Sequence, residues 1–242
     1  MEKTLAKGLT LLETLARLGH PVGVTEAAKA VGLQKSNAHR LLRSLSELGY
    51  VRQVADTGRY ELTLKLWEMG SRVIARLDIA TEATPTMRKL ATLTKETVHL
   101  SLLEGDDVVY VHKIDSPHPV RAYSASGGRA PAHCVATGKA LLAFQPPDAV
   151  DVSKVRKPFT DATITDPLDL RRELERIRKQ GHAVNKGEWR EGVFGVAAPI
   201  LDASGRAVAA IGLSGPQDRF RPKAMKAWTP LVMAAARDLS RA

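Results

Sequence analysis

Six side chains that can bind a polyanion are concentrated in residues 35–48, KSNAHRLLRSLSEL. Wound as an α-helix at ~100° per residue, this stretch has an apolar face and a polar face, and its first acidic residue is Glu47. Basic and hydrogen-bonding side chains at the start of a helix can contact DNA phosphates and base edges. The alternative interpretation is an amphipathic helix with a solvated basic face. The candidate DNA-contacting residues of this helix are Lys35, Ser36, Asn37, His39, Arg40 and Arg43.

A second group of candidate residues surrounds the glycine-rich segment SGGRAP, residues 126–131. Glycine has no side chain, so the backbone amides of Gly128 and its neighbours can approach a bound ligand closely. Arg129 can pair with a carboxylate of that ligand, or it can form an ordinary surface ion pair.

The adjacent His133 and Cys134 suggest a metal site or a thiolate nucleophile. A metal needs further ligands at suitable spacing, and none is evident in the sequence. A nucleophile pair needs a third orienting group, and neighbours on a strand-like segment point to opposite faces. We therefore expect Cys134 to be a small buried residue that lines or backs a pocket, with no metal and no cofactor. A redox sensor is disfavoured because Cys134 has no second thiol to resolve it.

Charge and cysteine content restrict the class of protein. The 242 residues carry 36 Lys and Arg against 26 Asp and Glu, a formal net charge of +10. Residues 1–77 hold 12 basic and 7 acidic residues, so half of that net charge falls in under a third of the chain. This density favours a polyanionic partner. A single cysteine, no signal peptide and no apolar run approaching ~18 residues lead us to expect a cytoplasmic protein.

The elements around residues 35–48 predict a winged helix-turn-helix. Leucines at i+3/i+4 spacing predict a helix up to about Leu18, and Thr25 is expected to cap a short helix at residues 26–31. The turn at residues 32–34 then leads into the basic helix. Strand-like residues 50–55 and 59–62 flank a DTG turn, a hairpin expected to lay Arg52 or Arg59 against the phosphate backbone. A plain hairpin that covers the helix core is equally compatible with the pattern.

Residues 62–77 predict a mostly apolar helix in which Trp67 and Met69 would be costly to expose. We expect this helix to pack against a second copy of the chain. The predicted organisation is a DNA-binding domain at residues 1–62, a linker and dimerisation helix at 63–77, and a further domain at 78–242.

Residues 78–242 show a mixed α+β pattern. Helices are predicted at residues 80–93 (interrupted or restarted at Pro85), 137–144, 169–180 and 223–239. Strands are predicted at residues 98–103, 108–114, 120–124, 193–200 and 207–213, and residues 125–131 are predicted to form a loop. Tight turns join most strands, so the fold class is α+β with a largely antiparallel sheet flanked by helices.

Four segments occur in an order and with motifs that together are specific. They are GLQKSNAHRLL at residues 32–42 followed by LGY at 48–50, PAHCVATGKALLA at 131–143, GVFGVAAP at 192–199 and IGLSGP at 211–216. In these segments the chain resembles the IclR family (isocitrate lyase regulator type) of bacterial transcription regulators, and the resemblance covers nearly the whole chain.

The resemblance implies a winged helix-turn-helix, a dimerising linker helix and a GAF-like effector-binding domain at residues 78–242. The family works as dimers and often tetramers, and includes repressors and activators. We therefore expect a ligand-responsive regulator, of a catabolic operon, that binds a pseudo-palindromic DNA operator. Its effector is expected to be a small organic molecule such as an organic or aromatic acid. Coupling between effector and operator is expected to run through residues 62–77.

The effector-binding residues are predicted partly from the glycine-rich loop and partly from the resemblance. The chain departs from the family pattern at three points: Glu188 is the only acid in residues 181–188, Gly195 replaces a common cysteine, and Gly212 replaces a common serine. These departures predict a less acidic pocket with smaller lining residues. The predicted effector-binding residues are Gly128, Arg129, Ala130, His133, Cys134, Asn185, Glu188, Gly195 and Ser214.

A rival interpretation is an enzyme that acts on a small molecule and carries a DNA-binding appendage. The sequence shows no nucleophile–base pair, no glycine-rich nucleotide loop and no metal-ligand spacing. We therefore expect a regulator without catalytic residues.

Overall fold

The protein is described from a computed structural model that covers residues 2–74, 78–122, 124–146, 151 and 157–240. The chain divides into two compact units, residues 1–76 and 77–242. Each unit has its own hydrophobic core and is described by itself.

The first unit is a three-helix domain with a hairpin and a further helix. Its elements are α1 (Lys3–Leu18), α2 (Val24–Ala30), α3 (Lys35–Glu47), β1 (Val51–Gln53), β2 (Tyr60–Leu62) and α4 (Lys65–Ile74). Leu11 of α1 and Leu42 of α3 are fully buried in its core, together with Val22, whose backbone pairs with Tyr60 of β2. The predicted helix-turn-helix and wing are therefore present, with β1 and β2 antiparallel.

Two boundaries in the first unit differ from the prediction. The second helix begins at Val24 after an extended Gly23, so Thr25 lies inside the helix and does not cap it. The hairpin strands are three residues each and shorter than predicted, because Val54 already accepts turn hydrogen bonds from Thr57 and Gly58. Residues 75–77, the end of the predicted linker helix, lie outside the described residues.

The second unit is a six-stranded antiparallel sheet with helices on both faces. Its strand order is β5-β4-β3-β8-β7-β6, and every neighbouring pair is antiparallel. The strands are β3 (Thr97–Glu104), β4 (Asp107–Ile114), β5 (Arg129–Pro131), β6 (Ala183–Lys186), β7 (Val193–Leu201) and β8 (Ala207–Pro216). The helices are α5 (Asp78–Thr94), α6 (Ala136–Ala143), α7 (Pro167–Gln180) and α8 (Pro222–Leu239). The predicted fold class is confirmed.

The sheet separates the core of the second unit into two layers. Apolar residues of α6 and α7 pack with one set of strand residues, and those of α5 and α8 pack with the other. All eight residues of α6 are buried, which includes Lys139. Gly138 permits this close packing, because a Cβ there would lie 2.1 Å from the carbonyl oxygen of Ala132.

Four elements of the second unit correct the prediction. Residues 120–122 and 124 form no strand, because the free edge of β4 is taken by β5, which was predicted to be part of a loop. Residues 132–134 form a short 3-10 turn, so the strand-like geometry used to argue about His133 and Cys134 was wrong. The edge strand β6 was not predicted. Helix α5 runs through Pro85 without interruption.

Candidate DNA-binding surface and ligand cavity

The polar face of α3 is exposed to solvent. Ala38, Leu42 and Leu45 are buried on its apolar side and hold the helix on the core of the first unit. The opposite side carries all six candidate side chains. The exposed residues of this α3 surface are Lys35, Ser36, Asn37, His39, Arg40 and Arg43.

The first turn of α3 has no side-chain cap. Gln34 occupies the capping position in an extended conformation, its side chain accepts no backbone hydrogen bond, and the first turn contains no acidic residue. The first N–H groups of a helix lack partners within the helix and carry a partial positive charge. The start of α3 is therefore suited to a phosphate oxygen, with Lys35 and Ser36 beside it.

The three arginines of the first unit that pair with a carboxylate and were predicted to contact DNA are Arg43, Arg52 and Arg59. Arg43 Nε lies 3.0 Å from Glu47 on the same helix, and Arg52 Nε lies 2.7 Å from Glu61 across the hairpin. Arg59 of the hairpin reaches Glu26 of α2 at 2.5 Å. These pairs are solvent-exposed and individually weak, so a phosphate can replace the carboxylate.

Lys35 and Arg40 differ from these arginines. Within residues 2–74 neither side chain forms an ion pair. They can therefore approach DNA without first giving up a protein partner.

The second unit contains a cavity of about 40 Å³ between the sheet and the start of α6. Strands β3, β4, β6, β7 and β8 each contribute to its wall, and Val135, Trp189 and Leu213 provide apolar surface. At roughly 10–15 Å³ for each water, the cavity has room for about three water molecules. The polar side chains of its wall are His99, Tyr110, Ser124, Thr137, Asn185, Arg190 and Ser214.

A neutral polar pair forms one side of the cavity. His99 Nε2 lies 2.7 Å from Ser214 Oγ, and the His99 ring is tilted against Tyr110 with ring centroids 4.7 Å apart. Burial, with help from the positive Lys113, lowers the pKa of His99 to about 4. Burial also raises the pKa of Tyr110 to about 12. Both side chains are therefore neutral near pH 7.

Two residues of the cavity wall each have a buried polar atom that no described group satisfies. His99 Nδ1 and Ser124 Oγ are buried, and neither has a hydrogen-bond partner among the described residues. A buried polar atom without a partner costs about 1–3 kcal/mol. A ligand oxygen that bonds to either atom would remove that cost.

Arg190 is the only charged side chain among the described wall residues of the cavity. It is exposed, and its guanidinium carbon lies 4.4 Å from the ring centre of Trp189. In the described parts of the chain it has no carboxylate partner. A cation of this kind suits an anionic ligand group.

The structure separates the predicted effector-binding residues into two groups. Asn185, Gly195 and Ser214 line the cavity. The other six lie elsewhere and form contacts of a different kind. They are Gly128, Arg129, Ala130, His133, Cys134 and Glu188.

The glycine-rich loop is occupied by sheet contacts. The carbonyl of Gly128 accepts a hydrogen bond from Tyr110 N at 3.0 Å, and Ala130 is buried in β5. Arg129 points to Asp107 at 3.5 Å, which is the surface ion pair that the sequence left open.

His133 and Cys134 belong to the packed interior of the second unit. His133 is buried, with its ring 6.2 Å from that of Phe159, and Cys134 is fully buried. Among the residues that the structure describes, no group of three or more His, Cys, Asp or Glu side chains could hold a metal ion.

Sequence reasoning missed most of the polar wall, including His99, Tyr110, Ser124 and Arg190. A signal was present for His99 and Ser101, which are polar residues that alternate with the apolar Val98, Leu100 and Leu102 in β3. Sequence reasoning also missed the pairing of Ser214 with His99, a hydroxyl that can act as a nucleophile beside an imidazole that can act as a base. That pair lacks the third orienting group of a catalytic triad, because His99 Nδ1 has no partner in the described residues.

Comparisons with known proteins agree on one family. The model of the C-terminal domain of bacterial IclR transcriptional regulators matches residues 71–241, and the model of the IclR helix-turn-helix domain matches residues 4–55. The HTH-type transcriptional regulator KdgR of Escherichia coli (strain K12) is 38% identical over 222 residues, which cover 90% of this chain and 84% of KdgR. None of the helices in the described part of the chain is long and apolar enough to cross a membrane.

Solved structures have the same fold over the whole chain. The crystal structure of Thermotoga maritima IclR has a TM-score of 0.82 and 33% identity, and covers 100% of this chain and 98% of that one. An IclR homolog of Microbacterium hydrocarbonoxydans, solved as a complex with 4-hydroxybenzoate, has a TM-score of 0.84 and 25% identity over 99% and 98% of the two chains. The α3 surface and the cavity therefore belong to an IclR-family transcription regulator, with an N-terminal DNA-binding domain and a ligand-binding C-terminal domain.

Proposed function

We propose that this regulator is a cytoplasmic, dimeric repressor of a catabolic operon, and that a small organic acid bound in the cavity changes its affinity for operator DNA. The observation that carries the proposal is the uncapped, exposed and basic start of α3. The cavity supplies the second half of the proposal, the place where a small molecule is sensed.

The proposed DNA contacts divide by whether a cation has a protein partner. Lys35 and Arg40 are free to bind DNA directly, and we assign base contact to Arg40 because Arg can bond a guanine at two atoms. Arg43, Arg52 and Arg59 are proposed to exchange their carboxylates for phosphates. Ser36, Asn37 and His39 complete the surface as hydrogen-bonding neighbours.

The proposed dimer rests on the large exposed apolar residues at and just before α4. Leu64, just before α4, and Trp67 are 80% and 71% exposed in the single chain and lie on one side of the helix. Met69 and Val73 are also exposed, on another side of it. Large apolar residues clustered on one short helix indicate a protein contact, and a second α4 is the occupant proposed here. A dimer would present two α3 helices to successive major grooves of a pseudo-palindromic site. Sedimentation of the Trp67→Ser variant tests the dimer, which is expected to dissociate at concentrations where the wild type does not.

The proposed effector class follows from the polar wall of the cavity. Arg190 would pair with a carboxylate at the mouth, and His99 Nδ1 or Ser124 Oγ would bond a carbonyl or hydroxyl oxygen farther in. The small cavity favours an acid of few heavy atoms. A larger acid, such as the 4-hydroxybenzoate bound by the Microbacterium homolog, would require the wall to open.

A panel of matched ligand pairs tests the effector class. Pyruvate and pyruvamide, lactate and lactamide, and 4-hydroxybenzoate and 4-hydroxybenzamide differ chiefly in the carboxylate. A ligand that binds only the native state raises the melting temperature. We expect at least one acid to do so while its amide does not. If amides and acids shift the melting temperature equally, the proposed role of Arg190 is wrong.

The pairing of Ser214 with His99 gives a specific reason to test the enzyme alternative. A Ser–His pair can act as nucleophile and base, although an orienting group and an oxyanion site are also needed. We propose that the pair binds ligand without turnover. Incubation of the protein with a bound acid or its ester should return the compound unchanged. Hydrolysis that is lost in Ser214→Ala would instead support an enzyme.

A further inference from the structure

Lys139 is a buried charge that the ligand cavity does not explain. It lies in α6, a helix of otherwise apolar or small residues, and its side chain is 1% exposed. Its Nζ lies 2.7 Å from Glu188 Oε1 and 3.2 Å from Glu173 Oε1. Glu173 is in turn held by Arg176 of the same helix, α7. Lys139 therefore joins α6 to α7 and to the residues just after β6.

Glu188 belongs to a loop that reaches the cavity. Residues 187–192, here called the cavity loop, connect β6 to β7, and Trp189 and Arg190 in this loop line the cavity. Glu188 itself does not line it. The Glu188 carboxylate is therefore one residue away from Trp189 and two away from Arg190, the residues that would contact a ligand.

Neutral hydrogen bonds also hold the first part of the cavity loop. The Glu188 N–H donates to Asn185 Oδ1 at 2.9 Å, and its carbonyl accepts from Thr163 Oγ1 at 2.6 Å. The carbonyl of Gly187 accepts from Thr160 Oγ1 at 2.7 Å. These bonds hold the backbone of Gly187 and Glu188, which precede the two residues of the loop that line the cavity. The Glu188 side chain is fixed by Lys139 and by a long bond from Lys186 N, and Oε2 has no hydrogen-bond partner within the described residues.

The buried pair is a poor source of folding stability. Burial raises the pKa of Glu188 above its ordinary value even though the Lys139 charge acts in the opposite direction. Removing two ions from water costs free energy that their attraction often fails to recover, and apolar side chains of similar volume can replace such a pair without loss. The effect that remains is geometric: two ions in a fixed arrangement hold one conformation of the cavity loop.

We propose that Lys139 is a positioning residue for the ligand cavity, which through Glu188 holds Trp189 and Arg190 at the cavity wall. This inference rests on the proposed function only in taking the cavity as the effector site. Loss of the pair would release the loop and weaken effector binding, without any contact between Lys139 and the ligand.

Acidification should also weaken the contact between Lys139 and Glu188. The groups that face the Glu188 carboxylate are Lys139 from α6 and Glu173 from α7, with Arg176 behind Glu173; the segment at residues 157–165 faces the Glu188 backbone with Thr163. Protonation of Glu188 removes its charge and its attraction to Lys139. Because the pKa of Glu188 is raised, this occurs at a higher pH than for an exposed glutamate.

Acrylamide quenching of Trp189 fluorescence tests the proposal without any effector. The three tryptophans are Trp67, Trp189 and Trp228, so the Trp67→Phe/Trp228→Phe protein reports on Trp189 alone. Into this background we would place Lys139→Met/Glu188→Leu, which removes both charges of the buried pair. The control is Asp169→Asn/Arg172→Gln, which removes an exposed pair of α7.

The expected result is a quenching constant for Trp189 that rises toward that of free N-acetyltryptophanamide in the Lys139/Glu188 variant and is unchanged in the control. The melting temperature should stay within about 4 °C of the parent, the shift expected for roughly 1 kcal/mol in a chain of this size. Unchanged quenching in the folded variant would overturn the proposal. A larger fall in melting temperature together with increased quenching would also overturn it, since the pair would then be an ordinary element of stability.

The pH profile provides a second measurement that does not depend on the double variant. Quenching of Trp189 should increase as the pH is lowered through the raised pKa of Glu188. In Glu188→Gln it should be independent of pH over that range and equal to the acidic value of the parent. Identical pH profiles for the parent and Glu188→Gln would contradict the proposal. All of these outcomes concern loop position alone, so they leave the operator and effector tests of the proposed function separate.

Discussion

The two units use charged residues in opposite ways. In the first unit Arg43, Arg52 and Arg59 form exposed ion pairs, and Lys35 and Arg40 form none within the described residues. In the second unit Lys139 is buried with Glu188 and Glu173. Exposed pairs contribute about 0–1 kcal/mol and can be exchanged for another anion. A buried pair cannot exchange its carboxylate for another anion, so its two charges stay in one arrangement.

This difference matches the proposed roles of the two units, DNA binding by the first and ligand binding by the second. Exchangeable cations suit a surface that must bind and release phosphates. A buried ion pair suits a cavity wall that must keep its shape when a ligand enters. Arg190 combines both properties, because it is exposed and has no carboxylate partner in the described residues, yet belongs to a loop that Lys139 holds in place.

The largest expected effect is from breaking the buried pair on one side. Lys139→Met leaves Glu188 and Glu173 without their buried cation, and should destabilise the fold by about 3–5 kcal/mol near pH 7. Arg52→Met, which breaks an exposed pair, should cost about 0–1 kcal/mol. Urea unfolding followed by circular dichroism measures both. Equal losses of stability in the two variants would contradict the proposed difference between buried and exposed ion pairs.

The loss in Lys139→Met should also depend on pH. Without Lys139, burial acts on Glu188 unopposed by that charge, so its folded pKa lies farther above the unfolded value than in the wild type. A carboxyl group of this kind favours the folded state below its unfolded pKa, and that contribution is lost as the pH rises through the folded pKa. The destabilisation should therefore be smaller at acidic pH than at pH 7. A destabilisation that grows on acidification would contradict this sign.

The next largest effect is expected at the cavity mouth. Arg190→Gln removes the proposed carboxylate partner, and a hydrogen bond to a charged group contributes about 1.5–3 kcal/mol, or roughly ten- to a hundred-fold in affinity. Exposure of Arg190 places the expected loss near the lower value. Calorimetric titration with an acid identified in the matched panel measures it. Arg129→Gln serves as control, because Arg129 pairs with Asp107 away from the cavity and its loss should leave affinity unchanged.

A loss of similar or smaller size is expected for Arg40 on the α3 surface. Arg40→Ala should cost about 1–3 kcal/mol of operator binding and relax the preference at one base pair, if Arg40 bonds a guanine. Fluorescence anisotropy with operator variants at fixed salt measures both quantities. A uniform loss on all sequences would assign Arg40 to phosphate contact. Arg172→Ala, in the second unit, is a control of the same charge change.

The smallest effect is expected for Arg43. Arg43→Ala should weaken binding to all sequences and flatten the dependence of log affinity on log salt by about one unit. The cost should be below that of Arg40→Ala, because Arg43 must first leave Glu47. An unchanged salt slope would remove Arg43 from the phosphate contacts.

The sequence predicted the elements that depend on local pattern. The helix-turn-helix, the hairpin wing and the antiparallel sheet follow from leucine spacing, from alternation and from short turns between strands. The end of helix α7 was predicted correctly at Gln180, because a glycine such as Gly181 can adopt the left-handed conformation that caps a helix, as it does in the structure. Its start lies two residues before the predicted one, at Pro167, where Asp166 caps the first turn.

The cavity wall could not be predicted in the same way because it depends on distant pairings. His99 meets Ser214 across 115 residues of sequence, and Tyr110 N uses the carbonyl of Gly128, a loop that had been expected to bind the ligand. Lysine is rarely buried, so the pattern of α6 gave no reason to place Lys139 inside the fold. Glu188 was predicted to touch the ligand, and the structure instead places it on Lys139.

The central claim is that occupation of the cavity changes the affinity of the α3 surface for DNA. The most direct test is fluorescence anisotropy of a fragment from the promoter region beside the gene, titrated with the full-length protein in the absence and in the presence of a saturating acid from the panel. The account predicts a shift in operator affinity that is lost in Arg190→Gln and retained in Arg129→Gln. Tight binding of the acid with no change in operator affinity would contradict it.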